Sequence, residues 1–256
     1  MKQRLDKMIL ERGLVESRSE AENWIGLGQV MVNGKVATRP GCFVNETADI
    51  TLLTRGRYVS RAGLKLASVA DSFRLDFRGK TVLDIGSSTG GFTDFALRHG
   101  ARRVYAVDVG TNQLHHRLRD DRRIILHEKT DIRDFELDCP PDIIVGDVSF
   151  ISLRDILPHV AKRLMGSATV LVAMVKPQFE VGRHLVQKGV VKNAAIRRKI
   201  LTDFEQWARQ YFVVLDKKDS TIAGSKGNVE RFYKLQLKNN RGNSCSKKGI
   251  VVLKST

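Results

Sequence analysis

Apolar positions along this chain follow two regimes. Over residues 1–53, short helical and strand signals alternate quickly. Leu5, Met8, Ile9 and Leu14 form one helical stripe. Ser17, with Glu20 three residues on, reads as a capping box for a second helix whose inner face is Ala21, Trp24 and Ile25. Gly26 and Gly28 close it. Val30–Val32 reads as a short strand, Asn33-Gly34 as a tight hairpin turn and Lys35–Ala37 as the return. Gly41 to Ile50 should supply a further strand pair. Thr54 to Gly56 then reads as a turn or short linker and Tyr58-Val59 as a short strand. A helix opened by Ser60 or Arg61 runs from Ala62 to Phe73, with Leu64, Leu66, Val69 and Phe73 apolar.

From Thr81 onward the pattern lengthens into alternating strand and helix. Strands are expected over 81–85, 103–107, 124–127, 142–145 and 168–175, and helices over 93–99, 113–119, 151–164 and 194–211. Residues 212–215 and 221–223 should share the sixth strand, and Val229 to Leu237 should form the last, with a loop over 181–193 beside the site. Such alternation predicts an α/β class: a Rossmann-like, doubly wound, mostly parallel seven-stranded sheet covered on both faces, behind a small α+β module. The expected division is 1–53 for the module, 54–60 for a basic linker, 61–238 for the large domain and 239–256 for a basic tail.

The large domain is organised around Thr81 to Asp94, TVLDIGSSTGGFTD: a buried strand, an acid, a small-residue loop and a helix. That is how a doubly wound domain holds a nucleotide-like cofactor at the carboxyl end of its first strand. The dinucleotide fingerprint is absent, because Ser88 stands where its second glycine would be, and Asp84 would oppose a pyrophosphate. A carboxylate there suits a cationic ligand with an amine, as in S-adenosylmethionine. Asp108, 24 residues on and at the end of the next strand, is placed for ribose hydroxyls. Asp131, past the third strand, could accept the adenine amino group or could cap a helix. The cofactor candidates are Asp84, Gly86, Ser87, Ser88, Gly90, Gly91, Phe92, Thr93, Asp108, Asp131, Ile132 and Asp147.

Charge adds a partner. The net charge of +16 points to a polyanion, nucleic acid first and an anionic membrane second. It is uneven: residues 1–53 carry seven basic and seven acidic side chains, whereas residues 54–80 carry seven and two. Three scattered cysteines fit a reducing cytoplasm and no thiolate metal site. The histidines show no ligand spacing, so no metal is expected. The longest apolar run, near Ala168 to Val175, is too short to span a bilayer, and MKQRLDKMILERG lacks the apolar centre of a signal peptide.

Two groups of motifs carry a resemblance. RLD at 4–6, GLVESR at 13–18, GQVMVNGK at 28–35 and RPG at 39–41 resemble the S4 RNA-binding domain. In that domain Arg4, Arg18 and Lys35 would lie on the face that grips structured RNA. Apart from the resemblance, Arg55, Arg57 and Arg61 bunch in the join between the modules and read as a basic, RNA-contacting hinge beside the active site, against the alternative of a solvated linker. SRAGLKL at 60–66, DIGSSTGGFTD at 84–94, GDVSFISL at 146–153, VKPQFE at 175–180 and KGNVERF at 226–232 resemble the FtsJ-like RNA 2′-O-methyltransferases. Together the two modules are similar to the TlyA family, also labelled hemolysin A. The resemblance implies methylation of ribose, on cytidines of bacterial ribosomal RNA or ribosomal subunits, by a Lys-Asp-Lys-Glu set falling on Lys65, Asp147, Lys176 and Glu230. Lys176 would be the general base, its proton loosened by burial beside a second cation, Lys65. Two other classes compete: a non-catalytic ribosome-assembly protein that binds RNA, and a membrane-active cytolysin.

Overall fold

The computed structural model describes residues 1–15, 17–26, 28–53, 58–181, 186, 189–224 and 227–238. Arg55, Arg57, Lys226, the tail from residue 239 and much of the 181–193 loop fall outside this set.

The amino-terminal module begins with β1 (Lys2–Arg4), α1 (Leu5–Glu11) and α2 (Arg18–Gly26). Leu5, Met8 and Ile9 of α1 and Ala21, Trp24 and Ile25 of α2 are buried together. The Ser17 hydroxyl accepts from the Glu20 amide at 3.1 Å, one half of the expected capping box. β2 (Val30–Val32) and β3 (Lys35–Ala37) form the hairpin. Its turn residues Asn33 and Gly34 both have positive φ, 49° and 75°, as a type I′ turn requires.

The expected pair within 41–50 does not form. β4 (Phe43–Asn45) pairs with β1, and β5 (Ile50–Leu52) pairs with β2. The partners come from distant chain, which local periodicity cannot indicate. Tyr58-Val59 is not a strand either. Tyr58 is buried with its ring 5.4 Å from that of Phe95, and the Val59 amide donates to Asp94 Oδ2 at 2.8 Å. The close fit needs Gly63, where a Cβ would lie 2.6 Å from the Tyr58 ring.

The large domain continues with α3 (Arg61–Ala70), β6 (Thr81–Ile85), α4 (Gly91–Arg98), β7 (Arg103–Val107), α5 (His116–Arg119), β8 (Ile124–His127), β9 (Ile143–Gly146) and α6 (Leu153–His159). β10 (Val170–Val175), α7 (Ala194–Ala208), β11 (Phe212–Asp219) and β12 (Arg231–Leu237) complete it. The helix expected over 151–164 contains Pro158 and finishes as a π turn at 160–164. The sixth strand is one continuous run ending at Asp219, and residues 221–223 lie outside it. It is an edge strand whose outer positions tolerate Lys217 and Lys218, so its charged half looked like loop.

The sheet order is β11-β12-β10-β9-β6-β7-β8. β12 runs antiparallel to both its neighbours, and the pairs among β10, β9, β6, β7 and β8 are parallel. The order reverses at β6, so the crevice beyond the carboxyl ends of β6 and β9 is the switch point where ligands bind in such sheets. Successive side chains divide between two cores. Val82, Val145, Val172, Met174 and Phe232 pack with Leu66 and Val69 of α3 and Phe92 and Phe95 of α4. Leu83, Ile85, Ile144, Ala173 and Tyr233 pack with Leu157 of α6 and Phe204 of α7. The first core extends through Tyr58 into the buried residues of the amino-terminal module.

Candidate active site

Strand alternation decides which side chains meet. Asp84 follows Val82, Asp147 follows Val145, Lys176 follows Met174 and Glu230 precedes Phe232, each by two residues. All four therefore sit on the sheet face covered by α3. Because β12 is antiparallel, Glu230 at its start reaches the edge where Asp147 and Lys176 end their strands. α3 brings Lys65 down onto that face. The Lys65 ammonium donates to Glu230 Oε2, 165 residues away in sequence. Lys176 Nζ lies 2.6 Å from Asp147 Oδ1 and donates to Ser149 Oγ at 2.7 Å. Asp147 Oδ1 meets the ammonium as an ion pair, without hydrogen-bond geometry. The side chains of these four residues are between 4% and 15% exposed, so the charges are paired where water is scarce.

Arg61 precedes Lys65 by one helical turn and shares its face. Burial holds its guanidinium below the usual range, opposed by Glu230 and Asp147. Arg61 thus belongs to the site itself. Arg4 and Arg18 converge on the buried carboxylate of Asp6, at 2.8 and 2.9 Å, and hold it well below the usual carboxylate range. Lys35 is exposed on the hairpin.

Beside the quartet lies the cofactor-type crevice. Asp84 is fully buried, and its carboxyl is pushed up to about 7 by burial, opposed by the Thr93 hydroxyl and reinforced by Asp147 and Asp108. Oδ2 accepts from Thr93 at 2.6 Å, but Oδ1 has no partner, and neither has the buried Ser87 hydroxyl. Orphaned acceptors in a buried site call for a donor, and a cationic amine answers that need. A small cavity of about 130 Å³ joins Asp84, Gly86 and Ser87 to Asp147 and Lys176. It abuts another of about 320 Å³ lined by Asp108, Asp131, Ile132 and Val148. Asp108 accepts from the Ser88 and Gly110 amides at 2.8 and 2.7 Å, which fixes its carboxylate. Asp131 both faces this cavity and caps a short 3₁₀ turn, with Arg133 paired to it at 2.6 Å. Gly86 must be glycine: its φ is +75°, and a Cβ would lie 3.0 Å from the Asp147 carbonyl oxygen.

Not every cofactor candidate lines these cavities. A Cβ at Gly90 would strike Leu118 and Leu114, and one at Gly91 would strike Ser60 and Ala62. Both glycines serve helix packing. Thr93 is fully buried and acts through Asp84. Phe92 lies in the core against Phe232, with one edge on the smaller cavity.

Sequence reasoning missed three features. Ser149 holds Lys176, and nothing in a lone serine announces that. Phe150 is 92% exposed with φ +68°, its ring 5.3 Å from Phe179. A bulky residue in left-handed conformation, offered to solvent beside buried charges, is strain of the kind found at functional sites. The third is Glu180. Its buried carboxylate accepts from Ser152 Oγ at 2.6 Å and the Leu153 amide at 2.8 Å, stapling the loop after β9 to the loop after β10. Among the described residues no cluster of His, Cys, Asp and Glu is arranged for a metal, and no helix is long and apolar enough to cross a membrane.

A doubly wound sheet with one reversed strand, an acid-lined crevice at its switch point and no dinucleotide fingerprint defines a class I methyltransferase fold. Comparison with known proteins agrees. Residues 58–237 match the FtsJ-like methyltransferase family and residues 3–50 match the S4 domain. The chain is 40% identical to Hemolysin A of Brachyspira hyodysenteriae, over 89% of this chain and 97% of that one. It is 36% identical to the 16S/23S rRNA (cytidine-2′-O)-methyltransferase TlyA of Mycobacterium tuberculosis, over 96% of this chain and 94% of that one. A solved structure of a hemolysin-named protein from Streptococcus thermophilus superposes with a TM-score of 0.71 at 39% identity, covering 93% of this chain and 89% of that one. The chain belongs to the TlyA family: FtsJ-like methyltransferases that carry an S4 domain in front.

Proposed function

We propose that this protein transfers a methyl group from S-adenosylmethionine to a ribose 2′-hydroxyl of ribosomal RNA, cytidine being the favoured nucleotide. The observation that carries the reading is the buried pairing of Lys65 with Glu230 and of Lys176 with Asp147, directly beside the orphaned Asp84 carboxylate. When bound, S-adenosylmethionine supplies an electrophilic methyl on a sulfonium. Asp84 and Ser87 would hold its amino-acid end, Asp108 its ribose and the crevice at Asp131 and Ile132 its adenine.

The remaining work falls to side chains. A ribose hydroxyl is a weak nucleophile until its proton leaves. Lys176 Nζ, once deprotonated, takes that proton. Ser149 and Asp147 hold the amine in one orientation, so that its lone pair is aimed and not averaged over rotamers. Lys65, fixed by Glu230, places a positive charge beside the oxygen as negative charge develops on it. Arg61, at the mouth, suits the phosphate of the same nucleotide. Phe150 suits the base, since an exposed ring stacks any nucleobase extracted from its helix. The S4 module and the basic excess over residues 54–80 supply the sequence-independent grip.

The test is direct. Unmethylated ribosomal subunits are incubated with the full chain and S-adenosylmethionine, and the rRNA is digested and analysed by mass spectrometry. The methyl group is expected on ribose. A methylated base, or full activity on RNA carrying deoxyribose at the target, overturns the reading.

A further inference from the structure

A cleft of about 730 Å³ is not built by the methyltransferase domain alone. It is lined by Lys65, Lys176 and Glu230, by Phe150 and Phe179, and by Ser19, Glu20, Asn23 and Trp24 of α2. The amino-terminal module is therefore a wall of the catalytic cleft. That wall differs chemically from its surroundings. The chain carries a large positive excess, yet the cleft-lining residues of α2 are hydroxyl, amide, carboxylate and indole. Arg18, the basic residue of α2, is drawn aside, with its guanidinium 2.9 Å from Asp6 and 3.5 Å from Glu22.

Phosphate contacts position a nucleic acid, whereas contacts to base edges carry sequence information. A carboxylate repels phosphate but accepts from the exocyclic amine of a base, and an amide can donate and accept on one base edge. The Glu20 carboxylate is also fixed in place, because the Trp24 indole donates to it at 3.1 Å. Fixed polar groups discriminate well, since a wrong partner leaves them desolvated and unpaired. Space permits more than the target: the cleft has over twice the 320 Å³ of the adjoining cavity.

We propose that α2 reads the base of a nucleotide flanking the methylated one, through Ser19, Glu20 and Asn23, so that the RNA-binding module sets sequence context as well as affinity. The inference rests on the methyl-transfer reading above. It also explains why a module expected to bind RNA carries no net charge over residues 1–53.

The experiment uses the full chain and unmethylated ribosomal subunits. The methylated nucleotide is mapped for the wild type. Subunits are then prepared with rRNA in which each flanking nucleotide is exchanged in turn, and kcat/KM is measured for the wild type, Asn23→Ala and Glu20→Gln. Asn23 is exposed on the helix, so its removal should leave the fold intact, which a thermal melt checks. The wild type is expected to discriminate among flanks by roughly tenfold or more, the scale of one good base contact. Asn23→Ala or Glu20→Gln should shrink that ratio several-fold, with S-adenosylmethionine affinity unchanged. The inference is overturned if the wild type treats all flanks alike, if both variants keep the wild-type ranking, or if they lose activity equally on every flank. Absence of any ribose methylation by the wild type would instead sink the underlying reading, and the two failures are separated by whether a site is mapped at all.

Discussion

Asp84→Asn separates what folding wants from what the cofactor wants. The Asp84 carboxyl is buried and pushed up to about 7, against an ordinary value of 3.8. The native state therefore holds a proton that the unfolded chain releases near 3.8. This side chain favours folding most below about pH 4, loses that contribution as pH rises toward 7, and then costs a constant amount. The gap between the two values corresponds to an upper bound of ~4 kcal/mol. Asparagine cannot ionise, and its oxygen can still accept from Thr93. The variant should gain roughly 2–4 kcal/mol over the wild type at pH 8 and much less at pH 5. Urea unfolding of both proteins at the two pH values measures this. S-adenosylmethionine binding should respond in the opposite sense, because the amine needs the carboxylate. Wild-type affinity should fall by up to about tenfold per pH unit below 7. Calorimetry at pH 6 in buffers of different ionisation heat should register proton release. Asp84→Asn should lose most of the affinity at every pH. An equal stability difference at pH 5 and pH 8, together with a flat affinity profile, would refute the reasoning.

Lys176→Ala should keep its affinities for S-adenosylmethionine and for ribosomal subunits while kcat drops by roughly 10²–10⁴, the range for a lost general base; single-turnover methylation checks it, and normal turnover removes Lys176 from that role. Phe150→Gly should stabilise the protein slightly, because it removes the Cβ that makes the left-handed φ of +68° unfavourable while giving up a ring that spends most of its surface in water, yet lower kcat/KM on RNA at least tenfold if a base stacks there. Glu180→Ala leaves the Ser152 hydroxyl proton and the Leu153 amide without an acceptor and Arg154 without its ion-pair partner, costing about 1–3 kcal/mol in urea melts. It should also lower kcat through the loosened loops that carry Asp147 and Lys176. Glu180→Gln, which can still accept from one of the two donors, should recover part of both losses.

Much of the fold was legible because its signals are local. The strand-loop-helix at Thr81 to Asp94, the Asn33-Gly34 hairpin and the helix at Ala21 to Ile25 each declare themselves within about ten residues, through period, turn chemistry and caps. Each misreading has its own physical cause. β4 and β5 looked like partners because they are neighbours in sequence, but each found a better-placed edge elsewhere. Tyr58-Val59 has strand-like residues, but its burial is against Phe95 and its amide bond is to a side chain. β11 was cut short because edge strands admit charge.

The same division holds for the site. The residue types needed for proton removal, the acids for a cationic cofactor and the basic surplus can all be read one after another along the chain, since chemistry and charge are properties of residues. What only the tertiary structure decided is which of them meet. Lys65 reaches Glu230 across 165 positions because one strand runs backwards and α3 lies over the face that two-residue alternation assigns to the acids. Ser149, Glu180 and the α2 wall owe their roles to loops and modules brought together by packing. Burial is a collective outcome of the whole chain closing on itself, and so no local window of sequence contains it.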